Sequence, residues 1–134
     1  MTTPATPSTP GQKSLPLTSA GEIGCFVRDI VFAVQGYDGV ERRAEPRFAI
    51  SIPVEVTPYD VDPLRAHPKF VAVTRDISAS GVTFLHTTSI EETYWLLKFA
   101  HPRARGVRLV LEVLYRRPIG PLWEIAGRFV TEPR

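Results

Sequence analysis

Two arginines four positions apart, Arg43 and Arg47, stand just before an alternating apolar stretch. The run Asp76-Ile77-Ser78-Ala79-Ser80-Gly81 follows the next such stretch. The first pair offers two guanidinium forks, and the second run offers a carboxylate, a hydroxyl and a glycine in a short loop. A guanidinium pairs bidentately with phosphate oxygens or with the N7/O6 edge of guanine, and it lies flat on aromatic rings. A carboxylate accepts hydrogen bonds from the N–H groups on guanine's opposite edge. Together the two runs hold the chemistry that a phosphorylated purine requires. Each has a plainer reading alone: a solvated arm whose arginines pair with Glu41 and Glu45, and a turn in which Asp76 and Ser78 bond backbone amides. Their order, with a strand after each, joins them.

The elements that must position these residues are read from periodicity. Phe48, Ile50, Ile52, Val54 and Val56 alternate with Ala49, Ser51, Pro53, Glu55 and Thr57, which predicts a strand over Phe48–Thr57. Pro53 has no ladder donor and marks an edge or bulge there. Further strands are predicted over Phe70–Arg75, Gly81–Thr87, Thr93–Ala100, Val107–Arg117 and Leu122–Val130. The connections are short, with turns at His101–Gly106 and Pro118–Pro121. Such a series of short strands is expected to close into an antiparallel β-barrel. Glu22–Gln35 is ambiguous, since Ile23, Cys25 and Val27 alternate while Phe26, Ile30 and Val34 recur at helical spacing. The reading adopted for it is a strand or irregular segment against the outside of the barrel.

Composition bounds the rest. A chain of 134 residues with 43% apolar content suits one modest core and a tail. The Thr/Pro/Ser-rich start cannot offset the entropy of ordering, so residues 1–20 are expected to be a disordered leader, residues 21–40 an extension, and residues 41–134 the barrel. The net charge of +2 is slight and argues against a general nucleic-acid-binding field. A single cysteine, Cys25, excludes an intramolecular disulfide and fits a reducing cytoplasm. No apolar run approaches the ~20 residues that span a membrane.

The two runs resemble the motifs of the PilZ domain family, bacterial receptors for cyclic diguanylate (cyclic-di-GMP). That family carries R-x-x-x-R before its first barrel strand and [D/N]-x-S-x-x-G after its second. Gly81-Val82-Thr83-Phe84-Leu85 and the closing Trp123–Val130 are also similar to the family's strands. The resemblance spans about residues 41–130. It implies a six-stranded antiparallel barrel, here without the C-terminal helix that many members carry, because only four residues follow Val130. It also implies a cyclic-di-GMP site built from Arg43, Arg47, Asp76, Ser78 and Gly81, with Arg42 as a third guanidinium associated with taking up a paired ligand. Asp76 would hold the guanine edge, Ser78 a base or phosphate, and Gly81 would allow close approach.

Nothing in the sequence marks an enzyme. His67, His86 and His101 have no Cys or carboxylate at metal-ligand spacing, and no phosphate loop or nucleophile elbow is present. The function expected is therefore that of a cytoplasmic receptor or adaptor that changes surface on capturing cyclic-di-GMP and so regulates an unidentified protein partner. The alternative is a protein-interaction module of the same fold with little nucleotide binding. A single-stranded nucleic-acid barrel would need exposed aromatics on a basic face, and Phe84, Trp95 and Trp123 are read as core instead. Arg75, Arg116, Arg117 and Arg128 are read as solvated strand positions.

Overall fold

The structure is a computed structural model, and it describes residues 16–35, 46–59 and 68–131. One helix and six strands follow in chain order: α1 (Ala20–Gln35), β1 (Pro53–Tyr59), β2 (Phe70–Ile77), β3 (Gly81–His86), β4 (Tyr94–Phe99), β5 (Leu109–Ile119) and β6 (Leu122–Phe129). The strands close into an antiparallel barrel in the order β1-β2-β3-β6-β5-β4. This is the architecture expected from the alternation. Closure leaves no free sheet edge around the ring.

The interior is filled from every strand. Val54, Val56, Ala72, Val82, Phe84, Trp95, Leu97, Leu109, Leu111 and Ile125 are buried in one continuous cluster. The rings of Phe84 and Trp95 lie 5.3 Å apart, and Phe70 meets Trp95 edge-on at the same separation. Trp123, expected in the core, packs against this cluster while partly exposed.

Residues 22–35 correct the sequence reading: they belong to α1, not to a strand or irregular segment. Ile23, Phe26, Val27, Ile30 and Val31 are its buried residues, at the spacing of one helical face, and Cys25 is exposed. The helix start carries a capping signature, Ser19-Ala20-Gly21-Glu22, and the Glu22 amide donates to Ser19 Oγ at 3.4 Å.

The helix lies across one mouth of the barrel. The starts of β1, β3 and β5 and the ends of β2, β4 and β6 all gather there, as the strand order requires. Phe26 meets Phe99 at the end of β4 edge-on, with ring centroids 5.4 Å apart. Asp29 pairs with Arg103 at 3.1 Å in a 3₁₀ turn, Pro102–Ala104, between β4 and β5. Gln35 Nε2 donates to the Ala49 carbonyl at 3.2 Å, and the Leu17 amide to the Arg108 carbonyl at 2.8 Å. Of the expected leader, residues 1–15 lie outside the described residues, while Leu17 bridges to Leu109.

The first strand is shorter at its start than its alternation suggests. Pairing begins at Pro53, and the five residues before it are held differently. The Ile52 amide donates to Thr74 Oγ1 at 2.8 Å, and that hydroxyl donates to the Ile50 carbonyl at 2.6 Å. Thr74 is buried, so its side chain replaces ladder bonds that the irregular backbone cannot make. This buried hydroxyl pins the segment that carries Arg47.

Candidate functional site

The segment before β1 is drawn onto the end of β2 by a two-way bridge. Phe48 N donates to the Ile77 carbonyl at 2.8 Å, and Ile77 N donates to the Phe48 carbonyl at 2.9 Å. Phe48 packs against the core, and its neighbour Arg47 reaches Asp76 with Nη1 2.9 Å from Oδ1. Two residues expected at one site, 29 positions apart, are thus in direct contact. The Arg47 side chain is 67% exposed and Asp76 24%, so the pair sits at the surface with donors of the guanidinium to spare. Arg42 and Arg43 lie outside the described residues.

The loop after β2 is tied by its own hydroxyl. Ser78 is 3% exposed, and its Oγ accepts from the Ser80 and Gly81 amides at 3.3 Å each. The Ser78 amide donates to the Gly81 carbonyl at 2.8 Å. Ser78 therefore shapes the loop that presents Asp76. A β-carbon on Gly81 would stand 2.2 Å from the Gly127 carbonyl oxygen and 3.1 Å from Arg128 Cα. The glycine lets β3 lie against β6, a reason the sequence alone does not disclose.

Asp76 opens onto the outer face of β2, β3, β6 and β5. Cross-strand pairing sets Asp76, Thr83, Ala126 and Tyr115 in one row, and Leu85, Glu124 and Arg117 in the next. The end strands of the first row are three strand spacings apart, about 14 Å. The middle of the face is small: Gly81, Thr83 and Ala126 are buried although they point away from the core residues Val82, Phe84 and Ile125. Two bulges build its charged margins. The register of β2 shifts between Thr74 and Asp76, so Arg75 and Asp76 both reach the outside. The register of β5 shifts between Val113 and Tyr115, which leaves Leu114 and Tyr115 exposed.

Three arginines read as solvated are engaged on this face. Arg75 Nη1 lies 2.6 Å from Glu124 Oε2, reaching past β3, and Arg117 Nε lies 2.6 Å from Glu124 Oε1. The Glu124 side chain is only 5% exposed between them. Its hydrogen bond and charge raise the Arg117 guanidinium above its ordinary range. Arg128 pairs with Glu112 at 2.9 Å. Arg116 points elsewhere and donates to the Ile90 and Glu92 carbonyls. Sequence reasoning missed Glu124 because its partners are 49 and 7 positions away, and only the strand register brings them together.

Among the described residues, no group of His, Cys, Asp and Glu could hold a metal ion. No described helix is long and apolar enough to cross a membrane.

The fold and this face together define a closed six-stranded barrel with an arginine-rimmed polar shelf on its outside. No protein-family model matches the sequence, and no curated protein sequence matches it. Among solved structures, the chain is similar to the K. pneumonia MrkH–c-di-GMP complex, with a TM-score of 0.47 and 16% identity over 70% of this chain and 46% of that one. It is also similar to a structure of MrkH described as a c-di-GMP-dependent transcription regulatory factor, with a TM-score of 0.43 and 13% identity over the same shares. The match thus spans less than half the length of those chains. Likeness at this level carries nothing about the ligand of the present protein.

Proposed function

We propose that this chain is a PilZ-type receptor for cyclic-di-GMP that acts through a change of surface. The observation that carries the reading is the Arg47–Asp76 contact at the edge of the small-residue shelf. In the structure the two motif side chains neutralise one another. An exposed ion pair of this kind is worth only ~0–1 kcal/mol, so exchanging it for ligand contacts costs little. Arg47 would turn to a phosphate or to the N7/O6 edge of guanine, and Asp76 to the N–H groups on the opposite edge. Thr83 and Ala126 are the small side chains beside Asp76 on this face, and Arg42 and Arg43 precede Arg47 in sequence, where they would add to the clamp. Release of Arg47 from Asp76 would shift the segment 46–52, and that movement would be the signal to a protein partner. The resemblance of the two sequence motifs to the PilZ family supports the choice of cyclic-di-GMP over other purine nucleotides.

A second reading, a protein-interaction barrel with little nucleotide affinity, is favoured by Val71 and Val73. These stand 59% and 42% exposed on β2, beside the same face. Thermal unfolding separates the two. A ligand at 100 times its Kd adds about 2.7 kcal/mol to stability. In a chain of this size that raises Tm by roughly 10 °C. A rise with cyclic-di-GMP and none with GTP supports the receptor. An unchanged Tm with both supports the interaction module.

A further inference from the structure

We propose that Arg75 and Arg117, held by the buried Glu124 carboxylate, form a second anion site on the outer face that takes a phosphoryl group. On the nucleotide reading of this face, from which the inference takes its source of phosphate, that group is a phosphodiester of the bound cyclic dinucleotide.

Charge balance across the face singles out this cluster. Arg47 is matched by Asp76, and Arg128 by Glu112, each one to one. Among the described residues, one carboxylate, Glu124, faces two guanidinium groups, so a positive charge is left over there. A purely structural ion pair needs one arginine. The second is surplus to holding Glu124 in place, and surplus positive charge beside a surface shelf is what an incoming anion meets first.

Geometry agrees. Glu124 uses its two oxygens separately, Oε2 for Arg75 and Oε1 for Arg117, both at 2.6 Å. Among the described residues, each guanidinium spends one hydrogen bond, on Glu124, out of five donors. The Arg75 and Arg117 side chains are 51% and 62% exposed, so both are open to solvent while Glu124 is not. The Arg117 guanidinium carbon also sits 5.8 Å from the centre of the Tyr115 ring, which holds it from a second side. Two long flexible side chains are thereby fixed before any ligand arrives, and the ordering cost of binding falls. Glu124 is the positioning residue of this site, and the two arginines are its contacts.

The test follows the Arg75 and Arg117 Nε–H signals by NMR on the full chain, with two probes titrated separately: cyclic-di-GMP and inorganic pyrophosphate. The control is the triple variant Arg75→Gln, Arg117→Gln, Glu124→Gln, which removes the whole ionic cluster and leaves no buried charge unpaired. Its melting curve is recorded beside the wild type, and the single variant Arg117→Gln is carried in parallel should the triple variant fail to fold. The expected result is saturable movement of both signals with pyrophosphate in the millimolar range. For cyclic-di-GMP a loss of at least tenfold in affinity is expected in the triple variant, or severalfold in Arg117→Gln. A Glu124→Gln variant is expected to broaden the Arg117 Nε–H signal by solvent exchange, because that N–H is the one the carboxylate holds. Movement with pyrophosphate but no binding of cyclic-di-GMP by the wild type supports the anion site and overturns the receptor reading. Binding of cyclic-di-GMP that is equal in wild type and variant, with signals unmoved by either probe, overturns the anion site and leaves the receptor reading standing. Unmoved signals with no binding of either probe overturn both.

Discussion

Thr74 joins the stability of the fold to the position of Arg47, and Thr74→Val measures that link. Valine keeps the shape of the side chain and deletes only the hydroxyl. Two hydrogen bonds go with it: the one accepted from the Ile52 amide at 2.8 Å and the one donated to the Ile50 carbonyl at 2.6 Å. Thr74 is 1% exposed, so water does not replace them. Each buried backbone group left without a partner costs about 1–3 kcal/mol, and some is regained because no hydroxyl is desolvated. The net loss is roughly 2–4 kcal/mol. At roughly 3–5 °C per kcal/mol for a chain of this length, Tm should fall by about 6–20 °C. Urea unfolding followed by tryptophan fluorescence gives the free energy, and native-state amide exchange at Ile52 gives the local effect. The Ile52 amide should lose protection more than amides in β6 do, because the pinned segment opens first. Affinity for cyclic-di-GMP should fall with it, since Arg47 is carried on that segment. A Thr74→Val protein with the wild-type midpoint and an equally protected Ile52 amide would refute the reasoning.

Other outcomes follow from the same geometry. Gly81→Ala should destabilise the barrel by about 1–3 kcal/mol or more, because the new carbon meets the backbone at Gly127 and Arg128 rather than a yielding side chain. The check is a denaturation midpoint, and a wild-type value would show that β3 and β6 are less closely apposed than described. His86, its ring 4.5 Å from that of Phe70, has its pKa lowered from the ordinary 6.5 by burial. The unfolded state therefore binds the proton more readily. The contribution of His86 to stability is complete above pH 6.5 and is lost as the pH falls through the lowered folded value. Unfolding free energy measured against pH should show this acid-side slope in the wild type and a flatter one in His86→Phe; an identical slope would assign the effect elsewhere.

Much of this was legible because strands write themselves with a period of two. Val54, Val56, Leu109 and Leu111 alternate in sequence and all point into the barrel. The helix was hidden because both patterns overlap in Ile23-Gly24-Cys25-Phe26-Val27, and the alternating reading counts Cys25, which is exposed. The Ser19 and Glu22 capping pattern was the local signal that distinguishes the two. Pro53 was read as an edge or a bulge, but it is the first paired residue of β1, and what holds the chain before it, the Thr74 hydroxyl, is 22 residues from Ile52. The contact of Arg47 with Asp76 was foreshadowed by the two motifs together. The Arg75–Glu124–Arg117 cluster was not, because it depends on a bulge in β2 and on the register of β5 with β6, neither of which has a local sequence mark. Gly81 was read as allowing the turn into the third strand and close approach of the ligand, and the structure adds a packing reason that periodicity cannot reveal.

Calorimetric titration of cyclic-di-GMP into the full chain, beside an Arg43→Ala, Arg47→Ala variant of unchanged Tm, tests the central claim most directly. Saturable heat is expected for the wild type, with at least a tenfold loss of affinity in the variant and far weaker binding of GTP. Equal binding by wild type and variant would contradict the site, and no heat from either at high ligand concentration would contradict the receptor.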